Sequence, residues 1–379
     1  MVRIRHLFRK QFLMLILLAG LGVASTGCGG AITEDVTYLV VLGDSLSVGT
    51  EPDASGVNMT TDQGYGETLY QLMLPLFPNL QLVKLGCLND PGETTVTMVE
   101  GGSCSYPEGS QLDAANAFLN QHGAATVLVT IDIGVNDLLQ SGCIDIGPPL
   151  DVDAACVQDF LENVLPGRMS FIMSDLFGLQ SEFGFPVIGL NYYNPFVVLY
   201  FQVYPVVAQG IADAIQNDPA IFDPIVAECT AFCSMPGSCE PFPACVPSCV
   251  ADVCVPETIG AIVAEQAPAE TNQIVQDLGI DTLAQAFNFQ VIQGVYDLFG
   301  FPVSDNYTAF MAGDFTLVPA PPQFSPITMA PVNALAACQL TYMCPDPMSG
   351  LEPNIHATDA GYQLMGQTVF DLYTSLYGP

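Results

Sequence analysis

The stretch "LVVLGDSLSVG", Leu39 to Gly49, decides the fold, because an apolar strand runs directly into a glycine, an acid and a serine. A strand that ends in a tight glycine turn presents the next side chain at the carboxyl edge of the sheet, where open α/β sheets bind their ligands. Ser45 is therefore a candidate nucleophile. The same residues also make an ordinary strand-to-loop turn, so the rest of the chain has to decide between the two.

Apolar runs of similar length recur along the chain and alternate with stretches of helical spacing. Such alternation is typical of a parallel sheet that helices cover on both faces, so the predicted fold class is α/β. We predict strands at residues 37–42, 80–85, 125–131, 185–190 and 301–304. We predict helices at residues 65–77, 109–121 and 151–179, a long one within 256–299, and a last one at 358–376.

Residues 1–27 have the layout of a secretory signal peptide, with four basic residues before an uncharged apolar run that is too short to span a bilayer. Gly27-Cys28 then resembles the lipobox of bacterial lipoproteins, although Ser25 stands where an apolar residue is preferred. We expect Cys28 to be lipidated and residues 28–36 to form a short linker, which places the protein in the cell envelope. Ordinary signal cleavage and secretion is the alternative.

The charge balance excludes several classes of partner. Beyond residue 27, Lys84 and Arg168 are the only Lys or Arg residues, against 39 Asp and Glu. A chain this acidic repels nucleic acid and anionic surfaces, so we expect contact with a membrane only through the N-terminal lipid. The sequence also lacks the spaced Asp and Asn pattern of an EF-hand loop, so we expect no calcium site.

The cysteines indicate disulfide bonds. Thirteen are present, and setting Cys28 aside leaves an even number that can pair fully in an oxidising compartment. Six lie within residues 229–254, where two Cys-x-x-x-Cys steps place sulfurs one helical turn apart, so that two facing turns could be bridged. Zinc is the competing interpretation, and export favours disulfides. The connectivity of the six stays open.

This cysteine-rich segment belongs to an interval, residues 194–256, that interrupts the alternation of strands and helices. Its first part, "NPFVVLYFQVYPVVAQGIA", has no charged residue, but Pro195 and Pro205 argue against a membrane span. It is either a buried helix or an apolar flap at the mouth of the site that binds an acyl chain. We expect the interval to be an insert that disulfides stabilise because it has little core of its own.

A serine nucleophile needs a base and hydrogen-bond donors for the developing oxyanion. His122 lies at the predicted end of a helix, where a structural role explains it. His356 lies in the loop before the last helix, which suits a base. After two predicted strands, the loops "GCLNDPGETT" and "DIGVNDL" offer the Gly92 N–H and the Asn136 side-chain amide as donors.

With four ordered blocks, "GDSLS", "NDPGETT", "GVND" and "IHATDAGY", the chain resembles the SGNH, or GDSL-type, hydrolase superfamily. The resemblance covers nearly all of the chain after the signal, apart from the cysteine-rich insert. It implies Ser45 as nucleophile, His356 as base, and the Ser45 N–H, Gly92 and Asn136 as oxyanion donors. It also implies a flavodoxin-like three-layer α/β/α fold over residues 37–379 that cleaves carboxylic esters without a metal or cofactor.

One position departs from the family pattern, since Pro353 stands where the family has the Asp that orients the histidine. Glu352 and Asn354 flank it, and a main-chain carbonyl of the loop could also accept the Nδ1–H of His356. We favour the carbonyl over Glu352, because a one-residue offset reverses side-chain direction in an extended loop. Glu352→Gln should then keep most of the activity.

The remaining cysteines bracket the loops of this candidate site. Local pairing would hold those loops in place, with bonds between Cys87 and Cys104, Cys143 and Cys156, and Cys338 and Cys344.

The substrate stays open between lipid or other small acyl esters, acetylated polysaccharides and thioesters. A non-catalytic surface lipoprotein that binds a partner through the insert is the alternative, and the missing Asp supports it. If His356 is a base of ordinary pKa, activity should fall below about pH 6 to 7.

Overall fold

The structure is a computed structural model that describes residues 36–378, apart from residues 89–90, 146–150, 242, 346–348 and 350. The predicted signal peptide, the lipidation of Cys28 and all but the last residue of the linker lie outside the described residues.

A parallel sheet forms the centre of the fold. The strands in chain order are β1 (Thr37–Gly43), β2 (Thr50–Pro52), β3 (Asn58–Thr60), β4 (Leu80–Lys84), β5 (Thr126–Asp132), β6 (Ile144–Asp145), β7 (Asp151–Val152), β8 (Val187–Leu190), β9 (Val303–Ser304), β10 (Leu317–Pro319) and β11 (Met329–Pro331). Five of them pair in parallel in the spatial order β4-β1-β5-β8-β9, and the other six form three small antiparallel ladders. The five predicted strands and the parallel α/β class are confirmed.

This strand order places β1 in the interior of the sheet. Among the parallel strands alone the order is 2-1-3-4-5, the doubly wound order of flavodoxin-like sheets. The side chains of residues 39–42 are fully buried, as a strand covered on both faces requires. The loops that follow β4 and β5 therefore flank the loop that follows β1.

Helices cover the sheet in two groups, with α1 packed on α15 and α6 packed on α3 and α12. The helices are α1 (Tyr65–Met73), α2 (Thr95–Glu100), α3 (Gln111–His122), α4 (Val135–Leu139), α5 (Ala154–Asp159), α6 (Leu165–Phe183), α7 (Leu199–Asn217), α8 (Pro219–Cys233), α9 (Val246–Ser248), α10 (Val255–Asp277), α11 (Ile280–Gln285), α12 (Gln293–Leu298), α13 (Asn306–Ala309), α14 (Val332–Leu340) and α15 (Asp359–Tyr377). Wider π-helical turns occupy residues 160–164, 249–254 and 286–292.

The predicted helix at 151–179 differs from the observed structure at both ends. Asp151 and Val152 form β7, which pairs with β6 in a small ladder. Helical structure then runs from α5 through a π-helical turn into α6, and it ends at Gly184, whose φ of 82° is the left-handed conformation in which glycine commonly ends helices.

The interval after β8 is a helical insert with small cores of its own. Its helix α10 continues past residue 256 to Asp277 and packs along α7. Tyr200 and Tyr204 of α7 and Ala267 and Val275 of α10 share one buried cluster. We refer to residues 194–277 as the helical insert.

Two helical stretches of the described chain are long and apolar enough to cross a membrane by length and composition. They are Pro195–Asn217, with a mean hydropathy of 1.4, and Val246–Asp277, with a mean hydropathy of 1.5. Both belong to the helical insert, where α7 and α10 bury part of their apolar surface against each other.

Six disulfide bonds link the cysteines after Cys28. The three local pairs predicted from the sequence are confirmed: Cys87–Cys104, Cys143–Cys156 and Cys338–Cys344. In the insert the bonds are nested, and they join Cys229 to Cys254, Cys233 to Cys249 and Cys239 to Cys245. The outer two bridge α8 to the facing π-helical turn, as expected for the step Cys229 to Cys233, but the second step, Cys245 to Cys249, does not supply both partners, because Cys245 pairs with Cys239 and Cys254 takes its place. This number of disulfides fits an oxidising, extracytoplasmic environment.

Candidate active site

Ser45 lies in the turn that ends β1, at the carboxyl edge of the sheet, and its side chain is half-buried. Gly43 has a φ of 131°, and a Cβ at this position would lie 2.1 Å from the carbonyl oxygen of Asp132, so only glycine fits. The N–H of Asp44 donates to that same carbonyl at 3.1 Å, and the N–H of Leu46 donates to Asp44 Oδ1 at 2.9 Å. These bonds fix the turn after β1, so Ser45 lies beyond the end of the strand.

His356 faces this serine across the sheet edge. Its Nε2 lies 2.9 Å from Ser45 Oγ, although 311 positions separate the two residues. The loop that carries it is fixed on both sides: the N–H of Tyr342 donates to the carbonyl of His356 at 3.0 Å, and the hydroxyl of Tyr193 donates to the carbonyl of Ile355 at 2.7 Å. The structure thus brings the predicted nucleophile and base into hydrogen-bond contact.

The other ring nitrogen of His356 contacts a side-chain amide. Nδ1 lies 2.6 Å from Asn354 Oδ1, which also accepts the main-chain N–H of His356 at 3.0 Å. The amide nitrogen of Asn354 donates to Asn58 Oδ1 at 2.7 Å, which fixes the orientation of the amide. Since Oδ1 is an acceptor, Nδ1 carries the proton and the lone pair of Nε2 faces the serine.

This geometry corrects the expectation that a main-chain carbonyl orients the imidazole. Glu352 and Pro353 are exposed, and the partner of Nδ1 is the side chain of Asn354. The sequence argument assumed an extended loop. Instead, Asn354 forms a turn in which its side-chain oxygen accepts the N–H two residues later, a conformation that Asn favours, and the turn brings the amide back to the ring.

The environment of His356 keeps the imidazole neutral. Its side chain is buried, with 7% of the residue exposed. Burial lowers the pKa of His356 to about 4, because an apolar surrounding disfavours the charged form. The imidazole therefore holds a free lone pair at Nε2 over the whole physiological range, as a general base requires.

Gly92 and Asn136, the two predicted oxyanion donors, lie against each other. A Cβ on Gly92, which has a φ of 107°, would meet the side-chain amide of Asn136 at 2.7 to 2.8 Å. The amide nitrogen of Asn136 donates to the carbonyl of Glu93 at 3.0 Å. The loops after β4 and β5 are thus joined to each other, and the side chain of Asn136 packs against Gly92.

Polar contacts hold these two loops together, and the one between Thr95 and Asp137 is buried. Asp137, which follows Asn136, accepts the N–H of Thr95 at 2.7 Å, and its other oxygen pairs with Arg168 at 3.4 Å. Gln140 Nε2 donates to the carbonyl of Gly92 at 3.1 Å. Donors held in fixed positions before the reaction are what stabilisation of an oxyanion requires.

A pair of buried carboxyl groups lies directly beneath the serine turn. Burial raises the pKa of Asp44 to about 6, and burial together with the charge of Asp44 raises the pKa of Asp132 well above its usual range. Tyr192 donates to Asp44 Oδ2 at 3.0 Å, and Tyr65 donates to Asp132 Oδ1 at 2.7 Å. Burial thus favours the protonated form of this pair, and the network fixes the end of β1 to its neighbours.

Sequence reasoning missed three residues that shape the site. Tyr192 and Asn288 are joined by two hydrogen bonds, because the N–H of Tyr192 donates to Asn288 Oδ1 at 2.8 Å and the Asn288 amide donates to the carbonyl of Tyr192 at 2.7 Å. Asp44 belongs to the quoted motif but received no role. The position of Tyr192 directly after an apolar strand was an available signal, whereas nothing near Asn288 pointed to the site.

His122 does not belong to this site. It ends α3, and its ring packs against those of Tyr38 and Phe118, with centroids 4.9 and 4.7 Å away. Within the described ranges, no group of three or more His, Cys, Asp or Glu residues is placed to hold a metal ion. That the reaction needs no metal or cofactor stays a prediction.

Comparison with known proteins adds little to this geometry. No protein-family profile and no curated protein matches the chain. Among solved structures, the chain is similar to LAE5, an alpha/beta hydrolase enzyme from the metagenome of Lake Arreo, Spain, with 14% identity and a TM-score of 0.35 over 88% of this chain and 94% of that one. A likeness this low carries no argument about function.

Proposed function

We propose that the protein is a serine ester hydrolase of the GDSL type, with Ser45 as nucleophile and His356 as base. The observation that carries the proposal is the hydrogen-bonded row from Ser45 Oγ through both ring nitrogens of His356 to Asn354, with distances of 2.9 and 2.6 Å. A nucleophile, a base and a group that orients the base are the three parts of an activated serine.

The reaction follows from these positions. As Ser45 Oγ forms a bond to the acyl carbon, its proton passes to His356 Nε2, and the carbonyl oxygen takes up the negative charge. The Ser45 N–H, the Gly92 N–H and the Asn136 amide are the donors for that charge. His356 then gives its proton to the leaving alcohol, and water releases the acid from the acyl-enzyme by the reverse sequence of proton transfers.

A neutral amide in place of a carboxylate is compatible with this mechanism. Asn354 fixes the tautomer and the orientation of His356, but it stabilises the imidazolium less than an Asp would. The expected enzyme has a base that is available above about pH 5 and a transition state that is less stabilised on the imidazole side.

Labelling by a fluorophosphonate probe tests the proposal, because the probe reacts with activated serines. The folded protein should be labelled and should hydrolyse p-nitrophenyl esters, and Ser45→Ala should lose both activities. Ser55→Ala, which removes an exposed hydroxyl from a nearby loop, is the matched control and should retain both.

Each alternative function predicts a different result. A non-catalytic surface lipoprotein would show neither labelling nor hydrolysis while folded. A carbohydrate deacetylase would be labelled and would release acetate from acetylated glycans, but it would not cleave longer acyl esters.

We also propose that the protein is exported and anchored through a lipid on Cys28. The six disulfides support export, since they require an oxidising compartment. Full-length protein expressed in a bacterium should enter the detergent phase of a phase separation, and Cys28→Ala should leave it in the aqueous phase or unprocessed.

A further inference from the structure

A narrow apolar cavity lies beside the candidate active site. It has a volume of about 90 Å³, and its wall comes from four parts of the chain: α4, the β6–β7 ladder, the loop after β8, and α11 with the π-helical turn that follows it. Six side chains represent these walls: Leu138, Ile144, Phe196, Leu283, Ala284 and Phe287. None of the described residues that line the cavity is charged.

Three wall residues tie this cavity to the reacting groups. Val135 directly precedes Asn136, and Ile355 directly precedes His356. Tyr192 donates its hydroxyl proton to Asp44, the residue before Ser45. The reacting residues themselves do not line the cavity, but three of its wall residues are bonded to them, either covalently along the chain or through the Tyr192–Asp44 hydrogen bond, so the cavity is adjacent to the candidate site.

We propose that this cavity is the acyl pocket and that it restricts the substrates to esters of short, uncharged acyl groups. This inference rests on the proposed function. An apolar cavity of about 150 Å³ holds one benzene molecule, so about 90 Å³ holds an alkyl chain of roughly three or four carbons. With the carbonyl carbon at Ser45, the favoured acyl group has about four or five carbons.

A disulfide and hydrogen bonds fix the walls of the cavity, so we expect a sharp limit on the length of the acyl chain. The disulfide Cys143–Cys156 closes the β6–β7 ladder that carries Ile144 and Val152. The two hydrogen bonds between Tyr192 and Asn288 hold the π-helical turn against the loop after β8. A longer chain would have to displace these elements or leave methylene groups in water.

The lining also selects against charged acyl groups. A second carboxylate on the acyl chain would lose its hydration in an apolar cavity without gaining a cationic partner, which is a large cost. Acyl groups that end in a methyl group gain free energy there, because each methylene moved from water contributes about 0.8 kcal/mol.

A series of p-nitrophenyl esters from two to twelve acyl carbons tests the proposal on the full-length protein. We expect kcat/KM to be highest at four or five carbons and at least tenfold lower at ten or more, since one methylene that does not fit a pocket changes the rate by a factor of about ten or more. An optimum at eight or more carbons, or equal rates across the series, would overturn the proposal.

Two substitutions in the wall should move the optimum in opposite directions. Leu283→Ala enlarges the cavity and should shift the optimum to six or more carbons, whereas Ala284→Phe fills it and should make acetate the preferred ester. Leu176→Ala is the matched control, because Leu176 is fully buried in α6 and does not line the cavity, so it should lower stability without moving the optimum.

The outcomes separate a failure of this proposal from a failure of the proposed function. If Ser45 is not a nucleophile, no ester of any length is cleaved and the fluorophosphonate probe does not react. If only the pocket is misassigned, hydrolysis depends on Ser45, but neither Leu283→Ala nor Ala284→Phe changes the preferred chain length.

Discussion

The contacts of His356 determine the tautomer and the pKa of its imidazole, which the sequence motif alone does not specify. The imidazole contacts one hydroxyl and one amide oxygen, Ser45 Oγ and Asn354 Oδ1. Since burial lowers the pKa of His356 to about 4, the sequence-based expectation of an activity loss below about pH 6 to 7 is replaced by a loss at a more acidic pH.

The pH dependence of kcat/KM on a neutral ester should show this directly. As the proposed base, His356 has to be neutral to accept a proton, and with a pKa of about 4 it stays neutral well into the acid range. We therefore expect a constant kcat/KM from pH 7 to pH 5 and half of that value near pH 4. An acid limb with its midpoint at pH 6 to 7 would contradict this prediction.

Two variants of the His356 loop test whether the partner of Nδ1 sets the midpoint of the acid limb. Asn354→Asp places a carboxylate beside Nδ1, which favours the imidazolium, so the midpoint of the acid limb should rise by at least one pH unit. Glu352→Gln changes an exposed side chain that does not face the ring, and it should leave both the midpoint and the rate unchanged.

A substitution at Gly92 should disrupt the proposed oxyanion donors. In Gly92→Ala the new Cβ would lie 2.7 to 2.8 Å from the Asn136 amide and displace it, so kcat should fall by about a hundredfold or more. Gly102→Ala is the matched control, because Gly102 has nearly the same φ, 103°, and no atom within 4 Å of the added Cβ.

Both variants carry the cost of a positive φ, about 1 to 2 kcal/mol. The control should therefore lose stability to thermal or urea unfolding while its kcat stays near that of the unchanged protein. Equal losses of kcat in the two variants would mean that backbone strain, and not the contact with Asn136, explains the effect.

At the scale of elements, the site is built on loops that strands and disulfides hold. The strand order β4-β1-β5 brings the loops after these three strands to one edge. The His356 loop has no strand of its own, and it is held through Tyr342, which exchanges main-chain hydrogen bonds with Asn354 and His356. Tyr342 lies between Cys338 and Cys344, so their disulfide restrains the segment that holds the loop of the proposed base.

Removing that disulfide should therefore affect catalysis as well as stability. We expect the double variant Cys338→Ser, Cys344→Ser to lose about 2 kcal/mol of stability, as loop closure over six residues predicts, and to lose about tenfold in kcat. The measurements are the urea midpoint and kcat on one ester.

The pair Cys239 and Cys245 provides the control, because it closes a loop of the same sequence separation, six, within the helical insert. The double variant Cys239→Ser, Cys245→Ser should lose similar stability but keep kcat within about twofold. If both double variants lose kcat equally, the Cys338–Cys344 bond has no particular role in holding the base.

At the scale of the whole molecule, stability is coupled to pH through buried acids. Burial raises the pKa of Asp44 to about 6, that of Glu93 to about 7, and that of Asp132 well above its usual range. The folded protein therefore holds protons on these groups at pH values where the unfolded chain has lost them. Burial also raises the pKa of Glu51 to about 7 and raises that of Asp137, so five buried or half-buried acids of the described chain act in this direction, whereas His356, with its lowered pKa, works in the opposite direction.

Stability should accordingly fall as the pH rises from 5 to 8. The folded state binds more protons than the unfolded state over this range, so the free energy of unfolding decreases with pH, and we expect a decrease of at least about 2 kcal/mol. Repulsion among the 39 acidic residues acts in the same direction and should weaken with added salt.

Urea unfolding at pH 5 and pH 8 measures this difference. Asp132→Asn, which removes one buried titrating group and keeps an acceptor for Tyr65, should reduce the difference, whereas Asp223→Asn on the exposed surface of α8 should not. A higher stability at pH 8 than at pH 5 would contradict the prediction.

Most of the architecture was predictable because it depends on local pattern. The buried strand at 39–42, the capped start of α15 at Thr358 and the paired cysteines Cys87 and Cys104 each follow from residues close together in sequence. The extent of the helical insert was not predicted, because the sequence argument ended it at residue 256 with the last cysteine, whereas α10 packs along α7 and runs on to Asp277, shortly before Gly279 with its φ of 72°.

The parallel α/β sheet, the local disulfides and the candidates Ser45, Gly92, Asn136 and His356 could be predicted from the amino-acid sequence. They depend on hydrophobic periodicity, turn chemistry and the order of motifs, which are properties of short segments. The partner of the imidazole, the neutrality of His356 and the shape of the apolar cavity became known only from the folded chain. Each of these depends on desolvation and on contacts between segments up to 311 positions apart, and no local pattern encodes them.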